Sequence, residues 1–276
     1  MNRREFCRGA ASATGALAIS SHLLDALPAD GVETIGIQLY SVRDIFAADP
    51  PGTLKQLAQI GYKEVELAGF GQHSIEEIKA AIQKAGLRAP SSHVPLENLR
   101  NNLSEVIANA KMLGNSYVVC PWLDQEMRSR DGYRQAAALL NQAGQVTRQS
   151  GITLAYHNHD FEFAVLGGTI GYDILLEETD PEVVKFEMDL YWIRKGGGDP
   201  LAYFEKWPNR FHLVHVKDMG RNGEMVNVGA GVIKWEAIFS KSSRAGIEHY
   251  FVEHDNPPSP IAFARASYDY LHALKW

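Results

Sequence analysis

A single (β/α)8 barrel is the fold class this sequence predicts, and three observations carry the prediction. Strand-length apolar runs recur eight times between residues 34 and 253, at an average step of about 30 residues, the length of one strand–loop–helix unit. Helical stretches lie between them and several end in the same signal, a glycine followed by an apolar residue. The first run is followed by Tyr40-Ser41-Val42-Arg43-Asp44, where an open dinucleotide-binding sheet would carry a Gly-rich phosphate turn. An open doubly wound sheet remains the alternative, but the count and the even spacing favour closure.

In chain order the runs are Thr34–Tyr40, Lys63–Leu67, Arg88–His93, Ser116–Pro121, Ile152–His157, Val183–Asp189, Phe211–Lys217 and Tyr250–Glu253. Ser74-Ile75-Glu76-Glu77 opens the helix after the second run as a capping box, with the Ser side chain accepting from a free amide at the helix start. Helices stop at Gly61, Gly86, Gly151 and Gly246, because glycine tolerates the left-handed conformation that ends a helix. Gly229-Ala230-Gly231 lacks the rest of any phosphate motif and reads better as a turn into a helix than as a phosphate cradle.

Composition bounds what such a chain can do. It has 276 residues, 45% hydrophobic and 22% charged, and is long enough to bury a sizeable core without disulfides. Its 27 basic against 33 acidic side chains give a net charge of −6, which argues against nucleic acid as partner. Two cysteines, Cys7 and Cys120, with no CxxC pair exclude a thiolate zinc site. No apolar run reaches the roughly 18 residues of a membrane span. The oligomeric state is left open, a homo-oligomer included.

Residues 1–30 read as an export segment rather than as part of the fold. Arg3-Arg4 and Phe6 precede a weakly apolar, uncharged stretch from Gly9 to Ile19, the pattern of a twin-arginine signal, and so the protein is expected to be periplasmic. Ala26-Leu27-Pro28 fits a cleavage site only loosely, so an uncleaved anchor stays open. The barrel is expected over residues 33–276.

In a barrel the chemistry sits at the C-terminal ends of the strands. Here those ends carry Glu66, His93, Cys120-Pro121-Trp122, His157-Asn158-His159 with Glu162 beyond, Asp189, His215 with Lys217-Asp218, and Glu253. Burying a carboxylate or imidazole costs several kcal/mol unless it is paired or coordinated. So many at one mouth point to a metal or acid–base centre. Trp122, Phe161, Tyr191 and Trp192 follow strand ends, where flat rings either stack on a sugar or pack between loops.

Ile37-Gln38-Leu39-Tyr40-Ser41, Val65-Glu66-Leu67, Tyr156-His157-Asn158-His159, Asp189-Leu190-Tyr191-Trp192, His215-Val216-Lys217-Asp218 and Val252-Glu253 together resemble the xylose-isomerase-like barrels. That superfamily contains sugar (phosphate) isomerases and epimerases, inosose dehydratases and the endonuclease IV branch. The resemblance covers about residues 34–274. It implies one divalent metal ion (Mn, Co, Mg, Fe or Zn) held by His157, Asp189, His215 and Glu253, with His159 or Glu162 as substitutes for His157. In the ketose epimerases the first ligand is a Glu that doubles as a base. His157 in its place puts two-base epimerisation in doubt.

The chemistry implied is proton abstraction next to a carbonyl, with Glu253 or Glu66 as base and Lys217 and His93 donating to oxygens that gain charge. Trp122, His159, Glu162 and Trp192 are the candidate substrate contacts. The leading expectation is an isomerase or epimerase of a free sugar or keto-sugar. A lyase, dehydratase or hydrolase on a 3-keto-glycoside or keto-sugar follows, and an idle sugar-binding barrel comes after it. Glu253→Gln is expected to weaken metal affinity and remove the base, and Asp218→Asn, just off the site, to be much milder.

Overall fold

The computed structural model describes residues 31–276, so the expected export segment lies outside the described residues. Eight parallel strands close into a barrel in sequence order. They are β1 (Ile35–Gln38), β2 (Glu64–Leu67), β3 (Arg88–His93), β4 (Tyr117–Cys120), β5 (Thr153–His157), β6 (Val184–Asp189), β7 (Phe211–Val216) and β8 (His249–Val252). Each coincides with one expected run, most of them trimmed by a residue or two. Thr34–Tyr40 shortens most, because Leu39–Val42 winds into a 3-10 turn in which the Gln38 side chain accepts from the Tyr40 amide. β1 and β8 pair through Ile37 opposite Val252, which closes the barrel.

Helices wrap the outside, among them α1 (Pro50–Ile60), α2 (Ile75–Ala85), α3 (Leu103–Leu113), α4 (Arg130–Arg148) and α5 (Pro260–Ala273). The capping box forms as the sequence predicts: the Glu77 amide donates to Ser74 Oγ at 3.2 Å, and the Ser74 amide donates to Glu77 Oε2 at 2.8 Å. Gly86 ends α2 at φ 72°, in the left-handed region where any other residue is strained. The main apolar core lies between strands and helices, where Leu54, Ile78, Leu140 and Phe263 are buried against the barrel's outer face.

A second, smaller apolar cluster comprises Tyr117, Val119, Ala155, Leu213 and Phe251, alternate residues of β4, β5, β7 and β8. These fill the lower barrel interior. A Cβ at Gly36 would meet the Phe251 ring at 2.5 Å, so β1 has a glycine where that ring crosses the axis. Because side chains alternate along a strand, the same inward faces continue upward to His157, His215, Lys217 and Glu253, and on β6 to Glu187 and Asp189. Regular alternation thus delivers the polar cluster.

The long loop after β7 is held from within. Asp218 is fully buried and accepts from the amides of Met219 (2.8 Å), Gly229 (2.8 Å) and Gly231 (3.1 Å) and from Trp235 Nε1 (3.2 Å). Gly229–Gly231 is accordingly a turn leading into the helix Trp235–Phe239, not a phosphate cradle. Asp218→Asn therefore acts on the fold rather than on the metal or the base, because the amide would turn an NH2 group toward donors. Asp218→Asn is expected to cost about 1–3 kcal/mol in urea denaturation.

Candidate active site

The barrel mouth opens into a cavity of about 590 Å³ lined by Tyr40, His93, Trp122, His157, His159, Trp192, Lys217, Glu253 and Asp255, among others. The inward faces of β6, β7 and β8 bring Asp189, His215 and Glu253 together, with donor atoms within 4.8 Å of one another. Lys217 Nζ reaches into this group, 3.0 Å from Asp189 Oδ2, 2.7 Å from Glu253 Oε2 and 2.6 Å from Asp255 Oδ1. Its aligned hydrogen bond is the one to Asp255.

The four ligands that the resemblance implies are divided by the structure. His157 belongs to a deeper group with His93, Glu187 and His215, and its Nδ1 lies 3.1 Å from Glu187 Oε2. His215 joins both groups, with Nδ1 2.8 Å from Glu253 Oε2 and Nε2 2.7 Å from Glu66 Oε2. Asp189 Oδ2, His215 Nδ1 and Glu253 Oε2 are buried and make no aligned hydrogen bond, only the close contacts to one another and to Lys217. Two carboxylate oxygens and an imidazole nitrogen so placed fit a divalent cation.

Two of the expected roles do not match the geometry. Glu66 is fully buried below the cavity, its carboxylate taken up by Gln38 Nε2 at 2.7 Å, His215, and the Ser91 hydroxyl, so it does not reach a substrate as base. Glu162 is also fully buried. It accepts from the Tyr156 hydroxyl at 2.6 Å and from the His159 amide at 2.8 Å, and so it orders the loop behind His159 rather than lining the cavity. His93 does line the cavity, but its Nε2 is turned to Glu187 at 2.9 Å.

Electrostatics sort the remaining groups. Burial raises the Glu253 carboxyl, but Lys217 and His215 outweigh it and hold it well below the usual range, so it stands ionised as a proton acceptor. Burial lowers Lys217, but Asp189, Glu253 and Asp255 outweigh that and keep the ammonium protonated. Burial and Lys217 push His159 down to about 3, which leaves a neutral imidazole on the cavity wall. Burial lowers His93 too, yet Glu66 and Glu187 carry it up to about 9. Asp189 rises to about 6, through burial against the pull of Lys217.

Glu162 gives a test with a defined sign. Burial raises its carboxyl from 4.5 to about 8. Its contribution to stability is therefore complete below 4.5 and lost as pH rises through about 8. Glu162→Gln keeps an acceptor for His159 and removes that titration. Denaturation across this window should show the variant losing less stability than the wild type.

Of the four aromatics, Trp122 and Trp192 line the cavity, with Trp122 44% exposed. Phe161 stacks under His159 at 5.7 Å, and the Tyr191 hydroxyl donates to the Gly223 carbonyl at 2.8 Å, so these two pack and brace loops. The sequence reading missed Glu187 and Asp255. Glu187 stands two residues before Asp189, on the same face of β6, and that period-two signal was legible.

The profile of the family described as xylose isomerase-like TIM barrel matches residues 54–274. A solved sugar phosphate isomerase/epimerase from Parabacteroides distasonis is 30% identical, covering 89% of this chain and 96% of that one at a TM-score of 0.76. An inosose dehydratase of Geobacillus thermodenitrificans is 28% identical over 154 residues, 48% of this chain and 51% of that protein. The match thus spans about half the length of that curated relative. A 3-keto-D-glucoside 4-epimerase from E. coli, at 18% identity over 87% of this chain and 99% of that one, has a TM-score of 0.68 and shows the shared fold.

Proposed function

The chain belongs to the xylose isomerase-like TIM barrel family, and from that premise we propose that it is a metal-dependent enzyme that removes the proton next to a carbonyl of a sugar or keto-sugar. One observation carries the reading. Glu253, an ionised carboxylate at the cavity, stands beside a buried ammonium and, with Asp189 and His215, presents three buried donor atoms suited to a divalent cation. When bound by Asp189, His215 and Glu253, the ion would polarise the carbonyl and acidify the adjoining C–H.

Glu253 takes the proton as general base. Lys217, held at 2.6 Å by Asp255, donates toward the oxygen that gains negative charge. Trp122, Trp192 and His159 wall the cavity, and the rings offer faces to the apolar side of a sugar. Among the described residues, Lys217 is the only lysine or arginine that lines the cavity, and it is already met by three carboxylates, which favours an unphosphorylated substrate. With Glu66 walled off and His157 in place of a carboxylate, a single base favours moving the proton to the neighbouring carbon, as an isomerase does, over two-base epimerisation.

A second reading, β-elimination by a dehydratase or lyase, has support from the inosose dehydratases among the relatives, since it follows from the same first step. Product analysis on a panel of keto-sugars, their glycosides and cyclic keto-polyols separates the two. An isomeric product supports the first, release of water or an aglycone supports the second, and no turnover of any carbonyl sugar contradicts both. We also infer that residues 1–30 are an export address. Retained export of a variant with Lys at Arg3 and Arg4 would refute the twin-arginine route.

A further inference from the structure

We propose that His93, His157, His215 and Glu187 form a second cation site deeper in the barrel, suited to Zn²⁺ or Co²⁺. It shares only His215 with the site read above. Glu187 Oε2 lies 2.9 Å from His93 Nε2, 3.1 Å from His157 Nδ1 and 3.1 Å from His215 Nε2. The four residues present donor atoms that all lie within 4.8 Å of one another. In a tetrahedral centre with bonds of about 2.0–2.1 Å, neighbouring donors stand about 3.3 Å apart, so a slight expansion of this group admits an ion.

Hydrogen bonding accounts for only part of the arrangement. Glu187 Oε2 meets His93 and His157, while His215, the third imidazole facing it at 3.1 Å, makes its shorter contact with Glu66 Oε2 at 2.7 Å. Glu187 is fully buried, and its other oxygen, Oε1, has no partner at all. An ion among the four donors would receive a lone pair from each, and Oε1 would be free to complete a bidentate contact. Three imidazoles and a carboxylate from four different strands suit a borderline divalent metal rather than Mg²⁺ or Ca²⁺, which favour oxygen.

Charge points the same way. Glu66, Glu187, Asp189 and Glu253 are buried and Asp255 adjoins them, against the single ammonium of Lys217. With the imidazoles acting as neutral ligands, two divalent ions balance these five carboxylates and one ammonium, whereas one ion leaves two negative charges to be offset by protons on the imidazoles. His215 presents Nε2 to the deep group and Nδ1 to Glu253, so its ring would stand between the two ions.

The test uses the full chain carrying Asp189→Asn and Glu253→Gln, which removes the upper donors. After chelation and re-equilibration with Co²⁺, metal analysis and visible absorption are read. The expected result is about one Co²⁺ per chain with the intense d–d bands of a four-coordinate centre. Adding His157→Gln should weaken binding more than about 100-fold and erase the bands. If circular dichroism shows that variant unfolded, His93→Gln, at the partly exposed rim, takes its place with the same expectation. A double variant that binds no Co²⁺, or a folded His157→Gln or His93→Gln chain that binds as well as its parent, overturns the proposal. Turnover is not the readout. A wild-type chain that takes up only the deep ion would count against the function proposed above and in favour of this site.

Discussion

Glu253→Gln is expected to lower turnover by about 10²–10⁴-fold, the range for losing a positioned general base. Glu253 touches Lys217, His215 and the cavity at once, so the amide removes the proton acceptor and weakens the upper cation donors together. A steady-state assay on whichever keto-sugar the panel identifies reads the first effect. Metal titration reads the second. Added Mn²⁺ or Co²⁺ in excess should restore occupancy without restoring rate, because mass action replaces the lost affinity but not the base. A variant with normal kcat would remove Glu253 from the chemistry.

Lys217→Met is expected to destabilise the chelator-treated protein by about 3–5 kcal/mol, the cost of leaving buried carboxylates without their counter-charge. The methylene chain is kept, so packing against Trp192, whose ring centre lies 5.4 Å from Nζ, is largely preserved. Urea denaturation measures the loss. Divalent metal should restore more stability to the variant than to the wild type, because the cation supplies the charge the ammonium gave up. Equal stabilisation of both chains would show that Lys217 and the ion do not share these carboxylates. Catalysis should also suffer, by about 10²-fold, through loss of the donor to the developing oxyanion.

The fold was legible because its signals are local and periodic. Most barrel strands are short runs rich in apolar and β-branched residues, with β3 (Arg88–His93) the polar exception, and the left-handed glycines at 86 and 246 mark where helices give way. Two small hairpins, Val165–Leu166 with Thr169–Ile170 and Asp218–Met219 with Met225–Val226, were not legible, since two-residue strands carry no period.

The site was legible at its upper layer, where Asp189, Lys217, His215 and Glu253 stand at the ends of consecutive strands. Its lower layer was not. Glu66 lies near the end of β2 as Glu253 lies just past β8, yet Gln38, Ser91 and His215 close over it, and only tertiary contacts distinguish a walled-off carboxylate from one that faces solvent. Glu162 follows the same logic, since the single 3-10 turn Phe161–Phe163 rotates it inward to Tyr156. Asp218 sits next to Lys217 in sequence, but its partners lie up to 17 residues further on, in a loop whose path no pattern discloses.

The proposed reaction draws a proton from the carbon next to a carbonyl, with Glu253 as the acceptor. Incubating the metal-loaded protein with keto-sugars in D₂O and following the C–H signals by NMR tests it most directly. The predicted result is deuterium entering at the carbon adjoining the carbonyl of the accepted sugar, abolished by chelation and by Glu253→Gln. Conversion of a sugar with no deuterium incorporated, or incorporation that proceeds undiminished in the Glu253→Gln protein, would contradict it.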